Sequence, residues 1–302
     1  MATDKLIITN FTDPVCTWCW GTEPLFRRLE TYYNGEIEFR YVMGGLVEDI
    51  NKFTDPRNHI GGSGAETANK EIAQHWLEAS ERHKMPVAKE GFQLFSAEYP
   101  SSYPQNIAYK AAQLTDKVKA DKFLRRIREA TAVENLLTSH EDVLISLASE
   151  VGLDVAKFIT HLHDGSADQA FRGDLALTRS LSVSGFPTFL IKFNTQQVML
   201  RGYNDFNTFV SVINVITHNK MWPKEPTAND EELLNFLELH PRLAAEEIRM
   251  AYNLVDLTEV DEWVKRLEME DKVVIKPAGN SYFVSKVRLG GLSCELETGI
   301  CN

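Results

Sequence analysis

The feature that most constrains this chain is a pair of cysteines, two residues apart, at the point where a strand gives way to a helix. Residues 5–10 are predicted to form a short buried strand, and Cys16 and Cys19 follow it. Apolar residues at helical spacing then continue to about residue 34, and residues 37–42 alternate as a second strand does. This order predicts a βαβ unit with the cysteine pair at the start of its helix.

That placement suits thiol chemistry. The unpaired backbone N–H groups and the dipole at a helix N-terminus stabilise a thiolate, and the two-residue spacing lets the second cysteine attack a mixed disulfide. We therefore interpret Cys16 as the nucleophile and Cys19 as the resolving thiol. Thr17 and Trp18 carry no charge, and Asp13 would oppose a thiolate, so we expect only a modestly lowered pKa for Cys16.

Two other interpretations of the pair stay open. A Cys-x-x-Cys pair is half of many zinc sites, and Cys294 and Cys301 would complete four ligands if the C-terminus folded back onto the motif. No second Cys-x-x-Cys occurs in the sequence, and His161 and His163 do not have the spacing of metal ligands, so we expect neither a metal nor another cofactor. Cys16 and Cys19 could also be two unreactive buried thiols.

A second motif lies far along the chain, where Pro187 immediately precedes a predicted strand at 188–193. A proline is tolerated at the first residue of any strand. A cis-proline facing the cysteines would also expose the preceding backbone to an extended substrate. The residues between the two motifs, about 66–181, are predicted to be almost entirely helical, with a break at 99–104.

Charge and terminal composition narrow the function classes. The formal net charge of −11 argues against a basic surface for nucleic acid and against docking on anionic lipid. No apolar stretch approaches the roughly 20 residues that cross a bilayer. The N-terminus has neither the basic region nor the cleavage site of a secretory signal, so we expect a cytoplasmic protein.

With both motifs in view, the sequence resembles the DsbA-like thioredoxin family, and within it the FrnE-like branch of cytoplasmic protein-disulfide isomerases. The resemblance rests on Asp-Pro-Val-Cys-Thr-Trp-Cys-Trp-Gly at 13–21, on 42–46 and on Gly-Phe-Pro-Thr at 185–188. It spans about residues 5–220 and implies a domain at 1–220. That domain would have a thioredoxin-like α/β fold with a large helical insertion at about 66–181.

The resemblance also implies roles. Cys16 would attack, Cys19 would resolve and Pro187 would be the cis-proline. The partner would be a thiol- or disulfide-containing protein or a small thiol such as glutathione. Two alternatives from the same fold remain: a non-enzymatic adaptor that presents a regulator to a protease, and a glutathione-dependent isomerase or transferase. Members of the latter group usually carry Ser at the position of Cys16.

Aromatic residues near the motifs predict a substrate surface. Trp18, Trp20, Phe186 and Tyr203 are expected to rim a shallow apolar groove for unfolded substrate. The alternative for Trp20 is that it belongs to the core of the first helix.

The C-terminal part differs from residues 5–220 in its predicted order of helices and strands. After a proline-containing linker at 221–227, three predicted helices and a hairpin at 228–290 indicate a winged-helix-like domain. The third helix is too acidic to approach phosphate, so we expect protein docking or dimerisation and no nucleic acid. The tail, 291–302, holds Cys294 and Cys301, which we interpret as an auxiliary redox pair, with two ordinary thiols as the alternative.

Overall fold

The computed structural model describes residues 5–61 and 64–287. Its strands are β1 (Leu6–Thr12), β2 (Ile37–Met43), β3 (Thr54–Asp55), β4 (Ile60–Gly61), β5 (Thr188–Phe193), β6 (Gln196–Arg201), β7 (Leu243–Ala244), β8 (Val273–Ala278) and β9 (Ser281–Lys286). Its α-helices are α1 (Thr17–Trp20), α2 (Glu23–Tyr32), α3 (Ala65–His83), α4 (Tyr103–Thr115), α5 (Lys117–Ala132), α6 (Glu141–Glu150), α7 (Val155–His163), α8 (Ser166–Ser180), α9 (Phe206–Ile216), α10 (Asp230–Leu239), α11 (Ala245–Ala251) and α12 (Leu257–Met269).

The main sheet has the strand order β2-β1-β5-β6. Strand β1 runs parallel to β2 and antiparallel to β5, with Phe11 opposite Thr188. The end of β1 therefore lies beside the start of β5, which brings the cysteine motif next to Pro187. Helices α2 and α9 cover this sheet through a shared apolar core that includes Phe26, Phe189 and Phe209.

Helices α3–α8 lie between β2 and β5 in the chain, as the sequence predicts, and we call them the helical insertion. Their core packs small alanines of α4 and α5 against large rings such as Phe123 and Phe158. Close packing of this kind holds neighbouring helices at short distance. The insertion therefore holds the residues that face the sheet in fixed positions.

One stretch of the insertion differs from the prediction. Residues 84–102 contain no helix, although the sequence pattern indicates helix up to 99. Prolines such as Pro86 disfavour helix here, and a buried side chain replaces the missing backbone partners. The side-chain oxygen Oδ1 of Asn69 accepts hydrogen bonds from the N–H groups of Leu94 and Phe95, at 3.1 and 3.0 Å.

Residues 228–287 form what we call the C-terminal unit. Three helices followed by a hairpin appear in the predicted order, and the short strand β7 joins the hairpin to give the sheet β7-β9-β8. The unit has its own apolar core, which includes Leu233, Val264 and Val284. The predicted tail at 291–302, and the last residues of the predicted domain at 228–290, lie outside the described residues.

The β8–β9 turn of the C-terminal unit docks on the helical insertion. Asn280 N–H donates to the Val87 carbonyl at 3.0 Å, and Val87 N–H donates to Asn280 Oδ1 at 2.9 Å. Gly279 precedes this contact with φ +55°, and a Cβ there would lie 2.0 Å from the Val87 oxygen. The turn therefore reaches the insertion only because residue 279 has no side chain.

A buried ion network joins the same parts more deeply. Glu23 of α2 pairs with Arg128 of α5, and Arg125 of α5 pairs with Glu247 of α11 at 2.6 Å. Glu23 and Glu247 are both buried, and Arg27 of α2 also reaches Glu247, at 3.3 Å. Removing one member of such a network leaves an uncompensated buried charge, which costs about 3–5 kcal/mol.

We predict that Gly279→Ala lowers the free energy of unfolding more than Gly35→Ala. Both positions have a left-handed backbone, but nothing lies within 4 Å of a Cβ at Gly35. Each variant should lose roughly 1–2 kcal/mol for that backbone. Gly279→Ala should lose about 1–3 kcal/mol more for the clash with Val87. Urea unfolding measures both; equal losses would mean that the turn is not held against the insertion.

Candidate functional site

The loop that carries the cysteines is held by Asp13, whose side chain is fully buried. Its two carboxylate oxygens accept hydrogen bonds from Val15 N–H at 2.9 Å and from Leu46 N–H at 2.6 Å. Asn106 of α4 donates a further hydrogen bond at 2.8 Å. Burial raises the pKa of Asp13 in spite of these donors. The carboxyl ties the cysteine loop to the end of β2 and to the helical insertion.

Cys16 caps the short helix α1, as the sequence predicts. Its sulfur accepts a hydrogen bond from the Cys19 N–H at 3.2 Å. The same sulfur lies 3.8 Å from the carbonyl oxygen of Phe186, to which it donates. The Phe186–Pro187 peptide bond is cis, the geometry that the resemblance implied for Pro187. The structure thus brings the two motifs, 170 residues apart in sequence, into direct contact.

The two thiols differ in access and in pKa. Cys16 is 5% exposed, whereas Cys19 is 0% exposed, so only Cys16 reaches the surface. Burial, and then the neighbouring sulfur of Cys19, raise the pKa of Cys16. Burial also opposes ionisation of Cys19, but the hydrogen bond from Cys16 and the positive charge of Arg128 outweigh it and lower its pKa. Of the two thiols, Cys19 is therefore the one that loses its proton more readily.

This differs from the expectation of a modestly lowered pKa at Cys16 with no cation nearby. The cation is Arg128, which α5 of the helical insertion places below the motif. Its guanidinium donates to Thr12 Oγ1 at 2.6 Å, and the Thr12 hydroxyl in turn hydrogen-bonds Cys19. Nothing in the local sequence around the cysteines signals a residue more than a hundred positions away.

Two aromatic residues of the predicted rim lie beside Cys16. Trp18 is half-buried and packs against the ring of Tyr203 at a centroid distance of 5.6 Å, with the Arg82 guanidinium 5.2 Å from its own ring. Phe186 is half-buried and covers Gly44, where a Cβ would lie 1.9 Å from its ring. Trp18 and Phe186 thus leave part of their side chains exposed near Cys16.

Trp20 lies in the core, and the expectation that it rims a groove is wrong. Its side chain is 0% exposed, and its indole N–H donates to the Pro86 carbonyl at 2.8 Å. The Arg125 guanidinium lies 4.6 Å from its ring. Trp20 faces inward because this side of α1 packs against the irregular segment 84–102, which the sequence pattern did not predict.

Sequence reasoning also missed His83, at the end of α3. Its ring packs on Gly21, where a Cβ would lie 2.6 Å away, and its Nε2 is 3.4 Å from Thr17 Oγ1. Met85 N–H donates to its Nδ1 at 3.1 Å. Burial lowers the pKa of His83 to about 3, so the ring is neutral and seats α1 on the insertion without adding charge.

The candidate auxiliary thiols, Cys294 and Cys301, lie outside the described residues. Within 5–61 and 64–287, no cluster of three or more His, Cys, Asp or Glu side chains is placed to hold a metal ion. In the same ranges no helix is long and apolar enough to cross a bilayer.

Curated relatives match most of the chain. The protein named ClpXP adapter protein SpxH of Halalkalibacterium halodurans is 27% identical over 275 residues, covering 90% of this chain and 86% of that protein. The protein of the same name from Bacillus subtilis is 27% identical over 285 residues, covering 92% and 88%.

Solved structures share the fold. A putative protein disulfide isomerase from Nitrosomonas europaea aligns with a TM-score of 0.59 at 18% identity, covering 72% of this chain and 100% of that one. The cytosolic disulfide reductase DsbM from Pseudomonas aeruginosa aligns with a TM-score of 0.51 at 21% identity, covering 78% and 98%. At these identities the likeness shows the fold alone, and it confirms the predicted thioredoxin-like α/β class.

The family model described as Thioredoxin matches residues 10–211, which include Cys16, Cys19 and Pro187. That match covers more than half of the chain, and it spans both motifs on which the resemblance rested. The chain therefore belongs to this thioredoxin family.

Proposed function

We propose that this protein is a thiol–disulfide oxidoreductase that exchanges disulfides through Cys16 and Cys19. The observation that carries the proposal is the position of the Cys16 sulfur, which lies at a helix start and 3.8 Å from the backbone carbonyl that precedes Pro187. A substrate that pairs with the backbone at Phe186 would present its own sulfur to Cys16. Trp18 and Phe186 supply the apolar rim for it.

The exchange takes two steps. The Cys16 thiolate attacks one sulfur of a substrate disulfide; the substrate S–S bond breaks, and the leaving thiolate takes up a proton. Cys19 then gives up its proton and attacks the Cys16 sulfur. The mixed disulfide breaks, the intramolecular disulfide forms, and the second substrate thiolate leaves and takes up a proton. The substrate gains two electrons, and the pair loses them. A cytoplasmic thiol such as glutathione would return the pair to its dithiol form.

A negative charge on Cys19 would assist the first step at Cys16. Cys16 is the more exposed of the two sulfurs, whereas Arg128 and Thr12 favour the negative charge on Cys19. The thiolate of Cys19 can accept the Cys16 proton as Cys16 attacks, so Cys19 serves as the base before it serves as the resolving thiol. This arrangement favours reduction or isomerisation over strong oxidation, because no extreme stabilisation of Cys16 opposes disulfide formation.

We predict that Cys16→Ser abolishes the reduction of insulin by dithiothreitol beyond the rate without protein, because no other described thiol reaches the surface of the site. Cys19→Ser should instead accumulate a mixed disulfide at Cys16, since nothing resolves it. Turbidity follows the first effect and intact-protein mass the second. The double variant Cys294→Ser/Cys301→Ser is the control and keeps activity, because a small reductant reaches Cys16 directly. Equal rates for Cys16→Ser and wild type would remove the proposal.

We predict that Thr12→Val raises the pKa of the first thiol ionisation. The substitution deletes the hydroxyl that hydrogen-bonds Cys19 while keeping the side-chain shape. Losing one hydrogen bond to a charged group should lower the thiolate fraction at neutral pH by about tenfold. Thiolate absorbance against pH measures it, in a background lacking Cys294 and Cys301. Thr17→Val is the matched control, because that hydroxyl faces His83 instead; identical titrations would contradict the prediction.

A second candidate function is that of a protein adaptor. The observation that favours it is the match to relatives named ClpXP adapter, which at 90% of the chain extends into the C-terminal unit. We propose that this unit, winged-helix-like in its order of elements, would then be a protein-docking or dimerisation module. Addition of the chain to ClpXP with a candidate regulator tests this function. An adaptor would accelerate degradation equally as wild type and as Cys16→Ser, whereas an exchange enzyme would not accelerate it.

The tail keeps its proposed role as an auxiliary pair. Cys294 and Cys301 would relay electrons between Cys16 and an external thiol, since tethering raises their effective concentration at the site.

A further inference from the structure

A cleft of about 200 Å³ opens beside the cis-proline. It is lined by Arg57, Ser184, Gly185, Phe186, Thr188, Arg201 and Gly202. Phe186 is both a wall of this cleft and the residue whose carbonyl accepts the hydrogen bond of the Cys16 thiol. A group seated in the cleft would therefore lie next to a sulfur bonded to Cys16.

Two arginines reach this cleft from different parts of the fold. Arg201 ends β6, opposite Thr188 in the hairpin, and its guanidinium donates to the Ser182 carbonyl at 2.9 Å. Arg57 comes from the 3₁₀ turn Pro56–Asn58 between β3 and β4, which Asn58 braces by donating to Asp55 at 2.6 Å. The sequence pattern did not predict this small hairpin. The hairpin places Arg57 beside the cleft.

Neither guanidinium has a carboxylate partner within 4.0 Å among residues 5–61 and 64–287, although most arginines of those ranges are ion-paired. The chain has a net charge of −11, so acidic groups are plentiful elsewhere. Two exposed arginines that line one cleft repel each other, and an anion between them would relieve that repulsion. A planar carboxylate matches the fork of N–H donors that each guanidinium offers.

We propose that Arg57 and Arg201 form an anion subsite that binds a carboxylate adjacent to the reacting sulfur of the substrate. The inference rests on the proposed exchange function and names its substrate class, which is acidic thiols and disulfides. The cleft holds a group of the size of one carboxylate-bearing side chain. That carboxylate comes either from an acidic residue beside a substrate cysteine or from glutathione, and the experiment separates these two sources.

The test compares kcat/KM for two peptide disulfides that differ only in Glu or Gln beside the cysteine, and for oxidised glutathione. All variants carry Cys294→Ser and Cys301→Ser. In the otherwise wild-type protein the Glu peptide should exceed the Gln peptide by about tenfold, as expected for one charge-assisted hydrogen bond. The preference should weaken as salt is raised, because the arginines are exposed.

In Arg57→Gln/Arg201→Gln the ratio of the Glu to the Gln peptide should fall to about one, a loss of that tenfold preference. Arg201→Glu should invert the preference toward a peptide with Lys in the same place. A misfolded Arg201→Glu protein could lose activity, but it could not gain a preference for the Lys peptide. Arg179→Gln is the matched control and keeps the wild-type ratio, because Arg179 is exposed and does not line the cleft.

The outcomes separate cleanly. Loss of preference with the Glu peptide identifies an acidic protein segment as the source of the carboxylate, and a loss confined to oxidised glutathione identifies the small thiol. Turnover of all substrates with no dependence on Arg57 or Arg201 would overturn the anion subsite while leaving the exchange function standing. Absence of turnover with every disulfide would instead remove the exchange function on which the subsite rests.

Discussion

The buried carboxylate of Glu23 is the charge around which the molecule is arranged. It lies at the start of α2, directly after the cysteine helix, and burial alone would keep it protonated. The positive charges of Arg128 and its neighbours outweigh burial and lower the pKa of Glu23 to about 2. Since Arg128 belongs to the helical insertion, the thioredoxin sheet cannot hold this charge without the insertion. Arg125 extends the network to Glu247, so the C-terminal unit completes it.

The same network reaches the chemistry. Arg128 touches both Glu23 and Thr12, and through Thr12 it reaches Cys19. One guanidinium thus neutralises a structural carboxylate and favours the negative charge on Cys19, the residue that we propose as base to Cys16. The pairing of Glu23 and the lowered pKa of Cys19 both depend on Arg128. Since Arg128 lies on α5, the helical insertion must pack against the cysteine motif for either effect. His83 of the insertion packs on the cysteine helix, and Asp13 of the cysteine loop accepts a hydrogen bond from Asn106 of the insertion.

The sequence pattern predicts those elements of secondary structure that depend on neighbouring residues. The spacing of apolar residues and the flanking turn residues predict three elements, and the structure confirms them: the strand before Cys16, the helix after it and the hairpin that follows Pro187. The position of Arg128 could not be predicted, because its partners are over a hundred residues away and are chosen by packing. The expectation that Trp20 rims a groove is wrong for a related reason. Its burial depends on segment 84–102, where side-chain hydrogen bonds replace a regular pattern.

We propose that Cys16 and Cys19 are a redox pair that cycles between dithiol and disulfide. The most direct measurement is equilibration of the Cys294→Ser/Cys301→Ser variant in glutathione buffers of defined ratio, with the disulfide fraction read by mass after trapping. A redox pair of this kind should show a single two-electron transition at a potential of roughly −180 to −270 mV. A pair that stays reduced even in excess oxidised glutathione would contradict it and would leave a thioredoxin fold that works by binding alone.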